Sequence, residues 1–309
     1  MLSITTNDIE NLLGFQITKQ CKEIIENFSL QYDSLSDSER DQAVIECIDK
    51  LLSNVSQVGS HRQEVWENGW NENLQNFILT KEYEDLIPKY FEKQSAIDCV
   101  ARWNNNFIKT KTENFIYKIF TLFVDCIITN FINEEFDNIY EFGCGTGYNL
   151  VRFSKYYEKM SFIGLDWAKS SQEIIRFISE QNIVKNIDSH NFNYFDIDSK
   201  YEIKPNSAVI TCCSLEQIGD SFKDVVDYWV SKKPKLCINF ENENSIFDDS
   251  SLLDKLSVEY AKKRKYLDGF YSYLKELESK NLIQIIYQKR LYSGNIFHEA
   301  YPVFVWKVL

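Results

Sequence analysis

The chain has 309 residues, 44% of them apolar and 26% charged, enough for one large domain or two modest ones around a real core. A net charge of −12 argues against a surface that wraps nucleic acid, and the one basic run, "KKRKY" at Lys262–Tyr266, reads as a solvated helix face. The opening "MLSITTNDIENLL" lacks the basic start and apolar centre of a leader peptide, and the longest apolar run, Asn114–Ile132, is broken by Lys118 and Asp125. No membrane association is expected. The eight cysteines form no C-x-x-C pair, and the adjacent Cys212 and Cys213 fit buried thiols of a cytoplasmic protein better than a disulfide frame or a zinc site.

In chain order, the first 115 or so residues read as helical. "ERDQAVIECIDKLLSNV" places Val44, Ile45, Ile48, Leu51, Leu52 and Val55 on one stripe, and "WENGWNENL" continues with aromatic-rich helix. Pro88 marks a boundary between helices. From about residue 136 short β-rich runs alternate with helical ones: "NIYEF", "SFIGLD", "NFNYF", "SAVITCC" and "KLCINFE". Such alternation predicts a parallel sheet with helices on both faces. A longer helical stretch, Ser251–Ser279, follows. The chain then closes with "LIQIIYQKRLY" and "YPVFVWKVL", which read as an antiparallel hairpin joined by "SGNIFHEA". The expected fold is α/β: a Rossmann-like, seven-stranded, mostly parallel sheet with a C-terminal antiparallel hairpin over residues 116–309, preceded by a helical cap over residues 1–115.

The turn "EFGCGTG", Glu141 to Gly147, leaves the first strand and enters a helix. Glycines there let backbone N–H groups approach a ligand. A dinucleotide fold wants G-x-G-x-x-G, and Tyr148 stands at its third glycine. The pattern is instead E-x-G-x-G-x-G, which resembles the first motif of class I S-adenosylmethionine-dependent methyltransferases. That resemblance implies S-adenosylmethionine as cofactor, with Glu141, Phe142, Gly143, Cys144, Gly145 and Gly147 around its amino-acid end. It places Asp166 on the ribose hydroxyls, Trp167 against adenine, and Phe195, Asp196 and Ile197 at the adenine amino group. Arg102, read as helical, is a candidate for the methionine carboxylate. "SLEQIGDSF", "NFENE" and "FHEAYPVFVW" are similar to a subgroup acting on small metabolites or glycans.

Methyl transfer is a displacement, so the protein must align nucleophile and methyl, and an oxygen acceptor gains from a base. The carboxyl ends of the fourth and fifth strands offer Glu216 and Glu241, and the final hairpin offers His298. Each has a plainer alternative: a cap, a surface acid, a solvated loop residue. The missing proline after the fourth strand sets aside the flipped-base enzymes. No acidic residue ends that strand, so no metal is expected. The reading is a methyltransferase acting on a hydroxyl of a small molecule or sugar, with the N-terminal Trp66, Trp70, Tyr90 and Phe91 as a lid or as that layer's own core. Rivals are N-methylation of an amine or protein side chain, a nicotinamide oxidoreductase, and a cofactor-binding protein without catalysis.

Overall fold

The computed structural model describes residues 1–94, 96–248, 250–299 and 302–309. Its N-terminal layer runs β1 (Leu2–Ser3), α1 (Thr6–Leu13), α2 (Lys19–Phe28), β2 (Gln31–Ser34), α3 (Asp37–Leu52), α4 (Gln63–Thr80), β3 (Val100–Trp103) and β4 (Asn106–Thr110). The long apolar run becomes α5 (Phe115–Phe131). The second half runs β5 (Asn138–Phe142), α6 (Tyr148–Phe153), β6 (Ser161–Asp166), α7 (Lys169–Glu180), β7 (Ile187–Asn191), β8 (Ser207–Cys212), α8 (Phe222–Lys232) and β9 (Leu236–Phe240). It closes with α9 (Leu252–Arg264), α10 (Phe270–Ser279), β10 (Ile283–Lys289), β11 (Ser293–Asn295) and β12 (Val303–Val308).

Seven strands form the main sheet in the order β10-β12-β9-β8-β5-β6-β7. β7, β6, β5, β8 and β9 are mutually parallel, and β12 and β10 close the sheet antiparallel, as the alternation predicts. The strand pleat sorts the side chains. Ile139, Ile238, Val303 and Val305 face the core shared with α5 and the N-terminal layer, while Tyr140, Phe142, Phe304 and Trp306 face α8 and α10. α5 is buried on nearly every side because it lies between two layers, which is why its sequence is apolar all round. No helix among the described residues is long and apolar enough to cross a membrane.

The N-terminal region departs from the helical expectation. β1, β2, β4 and β3 form an antiparallel sheet that β11 completes, pairing Ser293–Asn295 with Trp103–Ala101. The strands are too short, at two to five residues, to show alternation. The β3–β4 hairpin did carry a signal in Asn104–Asn105, both with positive φ (48° and 61°), the asparagine-favouring geometry of a two-residue hairpin turn. The expected link "SGNIFHEA" therefore contains a strand; its Ala300 lies outside the described residues. The third parallel strand lies earlier than "NFNYF", and the Ser251–Ser279 stretch is two helices, broken where Lys265 and Gly269 take positive φ. On α3 the buried face is Ala43 and Cys47, with Ile45, Ile48 and Leu52 exposed, so the apolar stripe is offset from the core.

Candidate active site

Strand order reverses at β5, which has β6 on one side and β8 on the other, so a crevice opens beyond their carboxyl ends. The glycine turn sits there with φ of +70°, +54° and +72° at Gly143, Gly145 and Gly147, a conformation costly for any side chain. Protein atoms press on it. A Cβ at Gly143 would lie 2.3 Å from the Ser214 Cβ, and one at Gly145 2.9 Å from the Trp70 ring. The turn is thus gripped between the end of β8 and α4.

Asp166 ends β6, buried, and accepts from the Gly145 N–H (2.9 Å) and the Ala168 N–H (2.9 Å). Burial raises its pKa to about 6. Its first task in this structure is to brace the glycine turn against the start of α7. Trp167 and Phe195 pack ring to ring at 5.7 Å, half-buried, and Ile197 is half-buried beside them. Asp196 is exposed, its backbone closing a tight turn on the Asn193 carbonyl. Phe142 and Cys144 turn inward: Phe142 packs edge-on to Phe192 and Trp229, and the Cys144 Sγ sits 2.8 Å from where a Gly164 side chain would begin. Only their backbones remain for a ligand.

Glu141 points to the α5 face of the sheet. Its Oε1 accepts from Asn149 (2.6 Å), its Oε2 is buried with no hydrogen-bond partner, and burial raises its pKa to about 8. Behind it α6 is anchored to α5 by Arg152, whose Nε donates to Asp125 at 2.7 Å. Tyr90 packs on Phe91, their rings 4.7 Å apart. Its side chain is 39% exposed, and burial of its hydroxyl among the thiol and carboxyl groups of Cys213, Glu216, Cys212 and Glu141 raises its pKa well above the ordinary value.

The other wall is the segment after β8. Glu241, expected at the crevice, is fully buried beneath this segment. Its two oxygens accept from the Ser214 N–H (3.2 Å) and the Glu216 N–H (3.0 Å), and burial raises its pKa to about 7. It positions the loop from its buried side, 0% exposed, rather than facing the crevice. Ser214 also donates to the Phe142 carbonyl and meets the Tyr194 hydroxyl (3.1 Å). Glu216 is 4% exposed. Its Oε1 accepts from Gln217, its Oε2 is buried without a hydrogen-bond partner, and burial next to the Glu241 charge raises its pKa to about 8.

Two expected site residues are engaged elsewhere. His298 stacks on Tyr260 at 5.4 Å. Nδ1 faces the Glu299 carbonyl (3.2 Å) and the Asn242 amide, and Nε2 faces the Asn295 amide (3.0 Å). Burial lowers its pKa to about 4, so it is a neutral packing residue rather than a base with a nitrogen turned to substrate. Arg102 lies on β3, not on a helix. Its guanidinium donates to the Ile296 and Leu253 carbonyls and to Ser257, tying the small sheet to α9 instead of meeting a methionine carboxylate. Sequence reasoning missed Glu67 on α4, whose carboxylate accepts from the Lys169 and Ser170 N–H groups at the start of α7. An acid between Trp66 and Trp70 was its only signal.

No family model matches the sequence, and a search of curated proteins gives no match. A search of solved structures gives partial likenesses at low identity. The magnesium protoporphyrin IX methyltransferase ChlM from Synechocystis PCC 6803, with bound SAH, is 11% identical, with a TM-score of 0.48 over 63% of this chain and 85% of that one. A riboflavin-derivative dimethyltransferase from Streptomyces davawensis is 13% identical, with a TM-score of 0.45 over 79% and 69%. PKMT2 from Rickettsia typhi, in complex with AdoHcy, is 11% identical, with a TM-score of 0.42 over 57% of this chain; the match spans about half, 49%, of that protein.

Proposed function

We propose that the chain is an S-adenosylmethionine-dependent methyltransferase acting on a hydroxyl of a small molecule or sugar, with residues 1–115 as its cap. The observation that carries this reading is the E-x-G-x-G-x-G turn at the point of strand reversal, with the Asp166 carboxylate braced against Gly145 and a buried Glu141 oxygen lacking a hydrogen-bond partner. These groups fit the ligand. Two acidic sites suit its ribose hydroxyls and its amine, and the turn offers close backbone approach. When bound, the cofactor supplies an electrophilic methyl to a nucleophile.

The chain's own residues align and exclude. Trp70 of α4 seals one side of the glycine turn, Tyr90 closes the crevice from the N-terminal layer, and Glu67 locks α4 to α7. Glu216 accepts the acceptor's proton at Oε2. Once ionised, a carboxylate with pKa near 8 is a stronger base than an exposed one, and its ionised fraction grows as pH rises through about 8. Gln217 fixes Oε1, and Glu241 holds the loop from below.

The test is calorimetric binding of S-adenosylmethionine, S-adenosylhomocysteine and NAD, followed by labelled-methyl transfer to hydroxyl and amine panels. Binding of the adenosyl pair with NAD silent, lost in Asp166→Ala, is the expected result. NAD binding, or silence of all three, sinks the proposal.

A further inference from the structure

The basic run near residue 264 does not behave as a solvated face throughout. Three segments meet beside Glu216. The Val58 N–H donates to the Arg264 carbonyl at 3.0 Å, which draws residues 58–62 onto the end of α9. On the segment after β8, a Cβ at Gly219 would lie 2.9 Å from the Lys265 carbonyl oxygen, so that segment also presses on the end of α9. Arg62 and Arg264 come together where the three meet.

Each guanidinium lies against an aromatic face: Arg62 is 5.4 Å from the Trp66 ring and Arg264 5.1 Å from the Tyr266 ring. Cation–π contact holds such groups in place without using their N–H donors. Part of this donor set stays unsatisfied. Arg62 Nε and Nη1 and Arg264 Nε are buried with no hydrogen-bond acceptor, and among the described residues neither arginine is ion-paired to a carboxylate. Burial, with the repulsion of the Arg264 charge added to it, lowers the Arg62 pKa. Arg152 also has buried donors without a partner, at Nη1 and Nη2, but unlike these two it is ion-paired to a buried acid, as is Arg290. In a chain with 46 acidic residues against 34 basic ones, two arginines held together and, among the described residues, ion-paired to none of those acids are unusual placement. Burying like charges with unmet donors is unfavourable unless an anion completes the arrangement.

We infer that Arg62 and Arg264 form an oxyanion site that holds a terminal phosphate or carboxylate of the methyl acceptor, with Trp66 and Tyr266 as its aromatic walls. Planar guanidinium forks match both groups, and two of them converging suit one multivalent oxyanion. The site adjoins the proposed base: the Arg264 charge offsets part of the burial effect on Glu216, and Tyr266 lies close enough to feel the Glu216 charge. An acceptor anchored by its anionic end at the arginines would present its other end to Glu216. This deepens the methyltransferase reading and rests on it for the identity of the reaction, though the anion site itself does not.

The experiment titrates phenyl phosphate and benzoate into the full-length protein by calorimetry at fixed ionic strength, alone and with saturating S-adenosylhomocysteine. The variants are Arg62→Gln, Arg264→Gln and, as a surface control, Arg40→Gln. The expected result is that at least one probe binds, whichever oxyanion it carries. Each site variant should weaken that binding by about tenfold or more, the control should not, and S-adenosylhomocysteine should not compete. If Arg264→Gln does not fold, Arg62→Gln, at the half-buried residue that precedes α4, still decides. No binding of either probe overturns the inference, as does binding untouched by both variants. Competition by S-adenosylhomocysteine also overturns it, because the arginines would then serve the cofactor's carboxylate. Probe binding with S-adenosylhomocysteine silent supports the anion site and removes the methyltransferase reading.

Discussion

Replacing Gly145 by alanine probes the contact between the N-terminal layer and the glycine turn. Two separable costs follow from the structure. The backbone has φ of +54°, where an alanine costs about 1–2 kcal/mol relative to its preferred regions. The new Cβ lies 2.9 Å from a Trp70 ring carbon, closer than real contacts allow, and Trp70 is 9% exposed, so it has little room to retreat. Overpacking of this kind costs about 1–3 kcal/mol. The total is about 2–5 kcal/mol, read as a fall in the urea midpoint at constant slope. Only the second part depends on Trp70. In a Trp70→Leu background Gly145→Ala should therefore cost only the backbone share, giving a coupling of about 1–3 kcal/mol in a double-mutant cycle. Strict additivity would refute the argument, because it would mean that α4 does not press on the turn.

Other consequences can be measured directly. Glu216→Gln should abolish transfer to a hydroxyl acceptor while leaving S-adenosylhomocysteine affinity within about twofold, and wild-type kcat/KM should rise with pH through about 8 as Glu216 ionises. A pH-flat profile would remove Glu216 as the base. Glu141 has its folded pKa raised to about 8 from an ordinary 4.5, so its stabilising contribution is complete below about 4.5 and is lost as pH rises through 8. Glu141→Gln should accordingly gain at least ~1 kcal/mol on the wild type at pH 9 relative to pH 6, followed by thermal unfolding. For His298, lowered to about 4 from 6.5, the contribution is present above 6.5 and lost as pH falls toward 4. His298→Gln should flatten that acid limb by ~3 kcal/mol and spare methyl transfer; a lost methyl transfer at unchanged stability would restore it as a base. Asp125→Ala leaves Arg152 buried and uncompensated, and should lower stability by about 3–5 kcal/mol in urea.

Much of the main sheet was legible because its strands carry their own signals. "NIYEF" and "SAVITC" are apolar runs bounded by turn residues, and they stand in the sheet where alternation with helices requires. β7 carries little signal of its own because "IDSHN" is an edge strand with little to bury, while the aromatic residues that follow it lie beyond the strand. The small sheet hid because pairing partners such as Tyr32 and Thr110, or Trp103 and Ser293, are remote in sequence and no local pattern reports them. In the site, the glycine turn and Asp166 were readable from residue type and spacing. The state of a carboxylate was not. Glu216 and Glu241 look alike in sequence, and only the backbone N–H groups around Glu241 show that it supports the loop while Glu216 keeps an oxygen without a hydrogen-bond partner. Arg102 and Arg264 exchanged their expected standing for the same reason: which acceptors lie within reach is a tertiary fact.

The pairing of β11 with β3 has a consequence for how the molecule is made. A ribosome releases Trp103 long before Ser293, yet the two are register partners in one antiparallel sheet. The small sheet must wait, with β3 as a bare edge, until nearly the whole chain has emerged; such edges invite wrong pairing. Contacts this remote in sequence also slow folding, because the intervening chain must be ordered first. The shortness of β3, four residues, limits that exposure in the interval. For anyone dissecting this protein, the N-terminal layer and the main sheet are one stitched object: deleting the first 115 residues would leave β11 without its neighbour.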